Sequence, residues 1–234
     1  MQKADAVLQK KKDDRGINIM NDEIIIEVNE VFKKYDDATV LDNVSLEIEK
    51  GKIYGLVGRN GSGKTVLMKC ICGLIKPTSG EVKVAGKTVG KDVDIPEDIG
   101  VIIETPGFIP NYSGFKNLKL LASVRNKISN EEIRKSMEIV GLDPKSRKHV
   151  GKYSLGMRQK LGIAQAIMEK PKILILDEPM NGLDNESVAV VRKILKEQAE
   201  NGATIILASH NREDIDVLCD KVYTMDHGVI ECER

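Results

Sequence analysis

One run of residues, 58–65, constrains this chain more than any other segment. It reads Gly-Arg-Asn-Gly-Ser-Gly-Lys-Thr and fits the pattern G-x-x-x-x-G-K-[ST], in which glycines let the backbone wrap around phosphate oxygens. The apolar segment 53–57 precedes the run as a buried strand would, and a helical apolar stripe follows it. This order predicts a phosphate-binding loop at a helix N-terminus. A glycine-rich turn that binds no ligand is the alternative.

The side chains of this phosphate loop predict a nucleoside triphosphate as the ligand. Lys64 would reach the β and γ phosphates, and the Thr65 hydroxyl would hold Mg²⁺. Backbone N–H groups and the helix dipole would bind the remaining phosphate oxygens. The nucleotide-binding residues predicted here are Gly58, Arg59, Asn60, Gly61, Ser62, Gly63, Lys64, Thr65 and Val66.

The composition disfavours several classes of partner. The chain balances 36 Lys and Arg against 36 Asp and Glu, so no net field attracts nucleic acid, and we expect no nucleic-acid partner. No apolar run approaches the ~18 residues that span a bilayer, and the N-terminus lacks the apolar centre of a signal peptide. We expect a cytoplasmic protein without a covalent membrane anchor. The cysteines lack paired C-x-x-C spacing, which favours reduced thiols over a zinc site.

The pattern along the chain predicts its organisation. Residues 1–22 are rich in Lys and Asp and predict a mobile extension, with a membrane-surface helix as the alternative. Alternating residues between 24 and 48 predict an antiparallel layer. Residues 104–153 predict an inserted helical subdomain, in which Leu118, Leu121 and Val124 share a face and Ser129 with Glu132 forms a capping box. Residues 23–103 and 154–234 together predict the α/β core.

A second motif joins four apolar residues, 173–176, to the carboxylates Asp177 and Glu178. Such a run is typical of a fully buried parallel strand. Open α/β sheets bind ligands at the carboxyl ends of their strands, so Asp177 would hold Mg²⁺ and Glu178 would orient an attacking water. A solvated acidic turn is the alternative.

A third motif, residues 153–157, is a Ser-x-Gly turn that opens a helix. A hydroxyl, backbone N–H groups and the helix dipole there can bind an anion, so the motif predicts a second phosphate-recognition element. Taken alone, Ser154 would be interpreted as an ordinary helix N-cap.

With these motifs in this order, residues 23–234 resemble the nucleotide-binding domain of ATP-binding cassette (ABC) transporters. The resemblance implies an α/β fold, namely a P-loop NTPase core of the RecA-like type with an antiparallel β-subdomain and an inserted helical subdomain. It implies ATP hydrolysis with ATP and Mg²⁺ as cofactors. The implied catalytic residues are Glu178, Lys64 and His210, the last as a switch that senses the γ-phosphate.

The resemblance also implies site residues outside the phosphate loop. Tyr35 matches the aromatic residue that stacks on adenine, with an exposed strand aromatic as the alternative. The implied metal-binding residues are Thr65, Asp177 and Glu104. Residues 153–157, the signature segment, carry Leu155 where the family usually has Gly and Met157 where it usually has Gln. The residues that would contact ATP bound to a second chain are Ser154, Leu155, Gly156, Met157 and Asp184.

One departure points to a branch of the family. Glu104 stands where the wider family has Gln, and with the signature segment it resembles bacterial exporters that confer resistance to bacitracin and lantibiotic-type peptides. The implied partners are a second nucleotide-binding domain and a membrane-spanning permease, and the permease would hold the protein at the cytoplasmic face of the cell membrane.

An apolar groove for a permease helix is predicted at Phe108, Ile109, Tyr112 and Phe115, with some of these side chains exposed. The alternative places these side chains in the core of the helical subdomain.

Other functions remain as alternatives at this point. A soluble ABC-type protein of translation or chromosome maintenance would usually carry two cassettes or a long coiled coil. An unrelated P-loop GTPase or kinase is disfavoured because the guanine-reading motif N-K-x-D is missing. A regulatory or sensing ABC subunit that transports nothing stays open.

Overall fold

The structure is a computed structural model that describes residues 23–233, so the predicted N-terminal extension lies outside the described residues. One sheet is antiparallel, with strand order β2-β1-β4-β5. Its strands are β1 (Ile24–Tyr35), β2 (Ala38–Glu49), β4 (Ser79–Val84) and β5 (Lys87–Thr88). The antiparallel layer predicted from the alternating residues is therefore present, and it leads directly into the strand before the phosphate loop.

The second sheet has the order β10-β9-β3-β8-β7-β6 and is parallel except for its edge strand β10. Its strands are β3 (Ile53–Val57), β6 (Ile99–Ile102), β7 (Ile173–Asp177), β8 (Thr204–Ala208), β9 (Lys221–Asp226) and β10 (Val229–Cys232). Six helices accompany the strands in the described part of the chain: α1 (Lys64–Ile71), α2 (Gly114–Arg125), α3 (Asn130–Ile139), α4 (Leu155–Ile167), α5 (Asn185–Glu200) and α6 (Arg212–Leu218).

Both faces of the parallel sheet are buried, which explains the continuous apolar run of β7. Side chains alternate across a strand, so Ile173 and Ile175 enter the core shared with α1 and the antiparallel sheet. Leu174 and Leu176 enter the opposite core, which α2–α5 cover. Burial on both faces holds the carboxyl end of β7, and with it Asp177, at a fixed place.

Helix α2 departs from the sequence prediction. Leu118 is fully buried, but Leu121 and Val124 are exposed, so the face that the three residues were predicted to share is buried only at Leu118. Ala122 is buried instead, one helical turn after Leu118. The small residues Ala122 and Gly114 let the helix lie close to its neighbours, since a Cβ on Gly114 would lie 2.9 Å from the Tyr153 hydroxyl oxygen.

Local signals elsewhere behave as expected. Ser129 and Glu132 form the predicted capping box at the start of α3. Cys70 and Cys72 are buried, and burial raises the pKa of their thiols to about 11 and about 12, which keeps both groups neutral. Within residues 23–233, no helix has the length and apolar character that crossing a bilayer requires.

The close contact between β6 and α4 depends on Gly100. A Cβ at this position would lie 2.1 Å from the carbonyl oxygen of Ala166. We expect Gly100→Ala to lower the free energy of unfolding by about 1–3 kcal/mol, because the helix must shift away from the sheet. Urea unfolding measures the change. Gly107→Ala is the matched control, since a Cβ there meets nothing within 4 Å; equal stability of the two variants would contradict the account.

Candidate nucleotide-binding site

The phosphate loop connects β3 to α1 with a backbone that requires glycine at two positions. Gly58 has φ 154°, and a Cβ there would lie 2.1 Å from the carbonyl oxygen of Met225. Gly63, the N-cap of α1, has φ 110°, and a Cβ there would lie 2.7 Å from the carbonyl oxygen of Val40. The loop is therefore wedged between the ends of β2 and β9, which fixes its curvature.

The loop holds polar groups that suit a phosphate ligand. The buried Lys64 ammonium donates to the carbonyl oxygens of Gly58 at 2.7 Å and Arg59 at 3.0 Å. The Ser62 hydroxyl is also buried and has no hydrogen-bond partner among the described residues. A buried hydroxyl without a partner costs stability unless a ligand completes its bonding, so the loop fits a polyphosphate.

A hydroxyl and a carboxylate meet beside the loop. The Thr65 hydroxyl donates to a carboxylate oxygen of Asp177 at 2.7 Å, which links the first turn of α1 to the end of β7. Oxygen ligands of this kind are what Mg²⁺ prefers, and Mg²⁺ usually binds through one or two protein ligands plus phosphates. The two side chains therefore fit the predicted metal.

Glu178 follows Asp177 and turns the chain sharply. Its φ is 50°, and its N–H donates to the carbonyl oxygen of Ala208 at 2.9 Å. Its carboxylate lies 2.8 Å from Nδ1 of His210, so the predicted base and the predicted switch are in direct contact. The Gln159 side chain, on the second turn of α4, donates to the backbone carbonyls of Glu178 and Pro179. This bond attaches α4 to the turn that carries the base.

Glu104 approaches the site with its charge already paired. It lies just after β6, has φ 60°, and its carboxylate is 2.5 Å from the Lys69 ammonium on α1. Glu104 lines the same cleft as Thr65 and Asp177, but its bond is to Lys69. The role of Glu104 as a metal ligand stays a prediction.

The residues at the strand ends enclose a cleft of about 470 Å³ beside the phosphate loop. The lining residues for which the sequence predicted no role include Thr105, Pro106, Arg158 and Gln159. The helical period places 155, 158 and 159 on one face of α4, which is a signal that could have found the last two. Tyr35 is not among the residues that line this cleft; it is 44% exposed, with the Lys33 ammonium 4.8 Å from its ring centroid.

The signature segment leads into α4, with Tyr153 buried and Ser154 and Leu155 exposed. Ser154 is the N-cap, and its hydroxyl accepts from the N–H of Met157 at 3.2 Å. Leu155 is 60% exposed, lines the cleft and packs against Gly182. Gly156 also lies close to Gly182, because a Cβ on Gly156 would lie 3.0 Å from the carbonyl oxygen of Gly182.

Asp184 ends the loop that follows Glu178. It is the N-cap of α5 and accepts from the N–H of Ser187 at 2.8 Å. Its hydrogen bonds with Ser187 lower the pKa of the Asp184 carboxyl, so the group stays charged at neutral pH. Ser154, Leu155 and Asp184 are exposed, and Gly156 and Met157 are half-buried beside them. Contact of these residues with a second chain stays a prediction.

The fold and this site define an α/β P-loop nucleoside triphosphatase. A sequence profile described as ABC transporter matches residues 41–181. The chain therefore belongs to the ABC transporter family, and it is an ATP-binding subunit with ATPase activity. Membership of this family excludes the alternatives of an unrelated P-loop GTPase or kinase.

Relatives of this chain include transport proteins of bacteria. It is 48% identical to an uncharacterized ABC transporter ATP-binding protein, YybJ, of Bacillus subtilis, which covers 88% of this chain and 95% of the relative. It is 43% identical to the bacitracin transport ATP-binding protein BcrA of Enterococcus faecalis, over 88% of this chain and 68% of the relative. The lantibiotic transport ATP-binding protein SrtF of Streptococcus pyogenes is 36% identical over 90% of each chain.

Solved structures confirm the predicted fold class. An ATP-binding subunit of an ABC transporter superposes with a TM-score of 0.80 at 26% identity, covering 89% of this chain and 90% of that chain. The dimeric post-hydrolysis cassette MJ0796, bound to ADP and Pi, superposes with a TM-score of 0.80 at 22% identity, covering 90% and 99%. The residue boundaries of the helical subdomain, 104–153, stay a prediction.

The ion pair between Lys69 and Glu104 should affect how tightly the cleft binds ATP. We expect Lys69→Met to weaken ATP binding about three- to fivefold, because the Glu104 carboxylate then faces the phosphates without its counter-ion. Adding Glu104→Gln to Lys69→Met should restore the affinity. Equilibrium binding of ATP measures both, and the loss should shrink at high salt. The control is Lys119→Met, which removes an exposed lysine on α2; an equal loss in Lys119→Met would contradict the pairing.

Proposed function

We propose that this chain hydrolyses ATP in the cleft beside the phosphate loop and works as one of two facing subunits that drive a permease exporting antimicrobial peptides. One observation carries the proposal. Lys64, Thr65, Asp177 and Glu178 converge at one edge of the parallel sheet, where the hydroxyl–carboxylate pair and the buried ammonium suit a metal-bound triphosphate.

The roles follow from the chemistry of each group. Lys64 and the loop N–H groups stabilise the negative charge on the phosphates, and Thr65 and Asp177 hold Mg²⁺. Bound Mg²⁺ neutralises charge on the phosphate oxygens. Glu178 orients the attacking water and accepts its proton. His210, in contact with Glu178, senses the γ-phosphate.

The exposed part of the signature segment supports a site shared by two chains. Ser154 to Met157 carry a helix N-terminus and a largely exposed leucine, Leu155, which is a surface suited to contact with a ligand and a second protein. We propose that this segment covers ATP held by the phosphate loop of the partner chain. Because ATP then bridges the two chains, it stabilises the closed dimer over the open one, and hydrolysis opens it.

The permease and its cargo are proposed from two kinds of support. Relatives named for bacitracin and lantibiotic transport favour peptides as the cargo, and Glu104 is the residue that pointed to this branch. Such a subunit would lie at the cytoplasmic face of the membrane, held through the permease. The non-transport alternative, a regulatory or mechanical switch, differs from this proposal in having no membrane-spanning partner.

Two apolar features beside Glu104 suit a permease helix. None of the four side chains predicted for the groove is fully buried, and Ile109 is exposed, which agrees with the docking interpretation. A second pocket, of about 280 Å³, lies beside the segment that contains Glu104. Its lining includes Leu74, Ile95, Ile103, Pro106 and Gly107. A helix docked there would contact the residues that flank Glu104, next to the nucleotide cleft.

Replacing the predicted base tests the hydrolytic mechanism. We expect Glu178→Gln to bind ATP with unchanged affinity but to hydrolyse it at least about 100-fold more slowly, because the amide cannot accept a proton. Because ATP then stays bound, dimers of the variant should accumulate. Size-exclusion chromatography in the presence of ATP detects them. Glu200→Gln, at the far end of α5, is the control. Turnover of Glu178→Gln at the wild-type rate would refute the role of Glu178.

The membrane partner distinguishes transport from the alternative. We expect the wild-type chain to co-purify from detergent-solubilised membranes with a multi-span protein. Ile95→Glu should abolish the association, because it places a charge in the apolar pocket, while ATP binding stays unchanged. Val229→Glu changes an exposed valine on β10 and serves as control. If the wild-type chain associates with no membrane protein, the regulatory alternative is favoured.

A further inference from the structure

A buried ionic network lies beside His210. Asp214, on α6, is only 1% exposed, and the Arg192 guanidinium on α5 donates two hydrogen bonds to one of its carboxylate oxygens, from Nε at 2.9 Å and Nη2 at 2.6 Å. Arg192 also bonds the exposed Glu213 at 2.8 Å. A buried ion pair is weak evidence for stability, because desolvation offsets most of the attraction. A positional role would explain its presence better.

The network reaches the backbone on both sides of His210. The Ser209 hydroxyl donates to the second carboxylate oxygen of Asp214 at 3.3 Å and accepts from the N–H of Asn211 at 3.1 Å. Asn211 is the N-cap of α6 and accepts from the N–H of Glu213 at 3.0 Å. The residues before and after His210 are thus tied to one buried carboxylate.

His210 itself has little else to hold it. Its side chain is 71% exposed, and its hydrogen bond is to Glu178 at 2.8 Å. An exposed side chain can change rotamer freely, so the position from which the imidazole reaches Glu178 depends on the backbone at 209–211. That backbone is what the network fixes.

We propose that Asp214 and Arg192 form a positioning pair for His210, and that the Ser209 hydroxyl transmits their position to the switch. The proposal rests on the proposed role of His210 at the γ-phosphate. Arg192 and Asp214 are not among the residues that line the cleft; they act through Ser209 and Asn211. The competing account is that the network only joins α5 to α6.

Ser209→Ala is the sharpest test, because it removes the hydroxyl link and leaves the ion pair intact. We expect kcat for ATP hydrolysis to fall about tenfold or more, since a small displacement of a catalytic group has a large effect on rate. KM for ATP should change less than about twofold, because the phosphate loop is untouched. Ser136→Ala is the matched control: its hydroxyl is equally buried and bonds the carbonyl oxygen of Ile133 on α3, far along the chain from the switch.

A double-variant cycle separates positioning from plain stability. In a His210→Ala background, Ser209→Ala should cause no further loss of kcat, because the group that it positions is gone. An equal loss in both backgrounds, or an unchanged kcat in Ser209→Ala alone, overturns the positioning role. If His210→Ala itself hydrolyses ATP at the wild-type rate, the proposed function of His210 fails instead, and the two failures are thereby distinguished.

A second measurement does not depend on activity. The chain has three histidines, His149, His210 and His227, so their ring resonances can be assigned by single substitution. In nucleotide-free protein, Ser209→Ala should shift the His210 resonances and leave the other two in place. Arg192→Met should cause the same change. Arg192→Lys should shift the His210 resonances less than Arg192→Met does, because lysine keeps the positive charge. Unchanged His210 resonances in Ser209→Ala would overturn the proposal even where Arg192→Met fails to fold.

Discussion

The parallel pairing of β3, β8 and β7 is the constraint on which the rest of the site depends. Leu56 pairs with Ala208, and Ala208 with Asp177, so the three strands end at the same level. The phosphate loop, the Asp177–Glu178 turn and the Ser209–His210 turn therefore begin side by side, although they are far apart in sequence. Hydrogen bonds across these turns, from Thr65 to Asp177 and from Glu178 to Ala208, then lock the three together.

The sequence predicted the parts of this site that depend on local chemistry. A glycine-rich turn between a strand and a helix, and an apolar strand that ends in carboxylates, each have a pattern that is readable without knowledge of the fold. The capping box at Ser129 is equally local. Parallel topology then follows from α/β alternation, and it brings the strand ends together.

The sequence could not predict contacts between segments that are distant along the chain. Nothing in the spacing of Lys69 and Glu104, or of Arg192 and Asp214, indicates that they pair. The burial pattern of α2 was unpredictable for a similar reason, because periodicity detects apolar residues but not how close a helix lies to its neighbours. Ala122 and Gly114 permit close packing of that helix, and the exposed Leu121 and Val124 are left outside it.

The rim of the cleft, at the starts of α4 and α5, is the surface that we propose contacts a second chain. Leu155 and Gly182 pack together at the rim of the cleft, and their neighbours Ser154 and Asp184 present N-terminal ends of α4 and α5 to solvent. In a monomer this arrangement leaves Leu155 60% exposed beside two capped helix N-termini. Contact with an anion and an apolar surface would use both, and a nucleotide bound to another copy of such a cleft supplies the anion. In the dimer that we propose, the rim and the phosphate loop are complementary halves of one site. Gln159 donates to the backbone carbonyl of Glu178 and so connects the start of α4, offered to the partner in that dimer, to the turn that carries the proposed base.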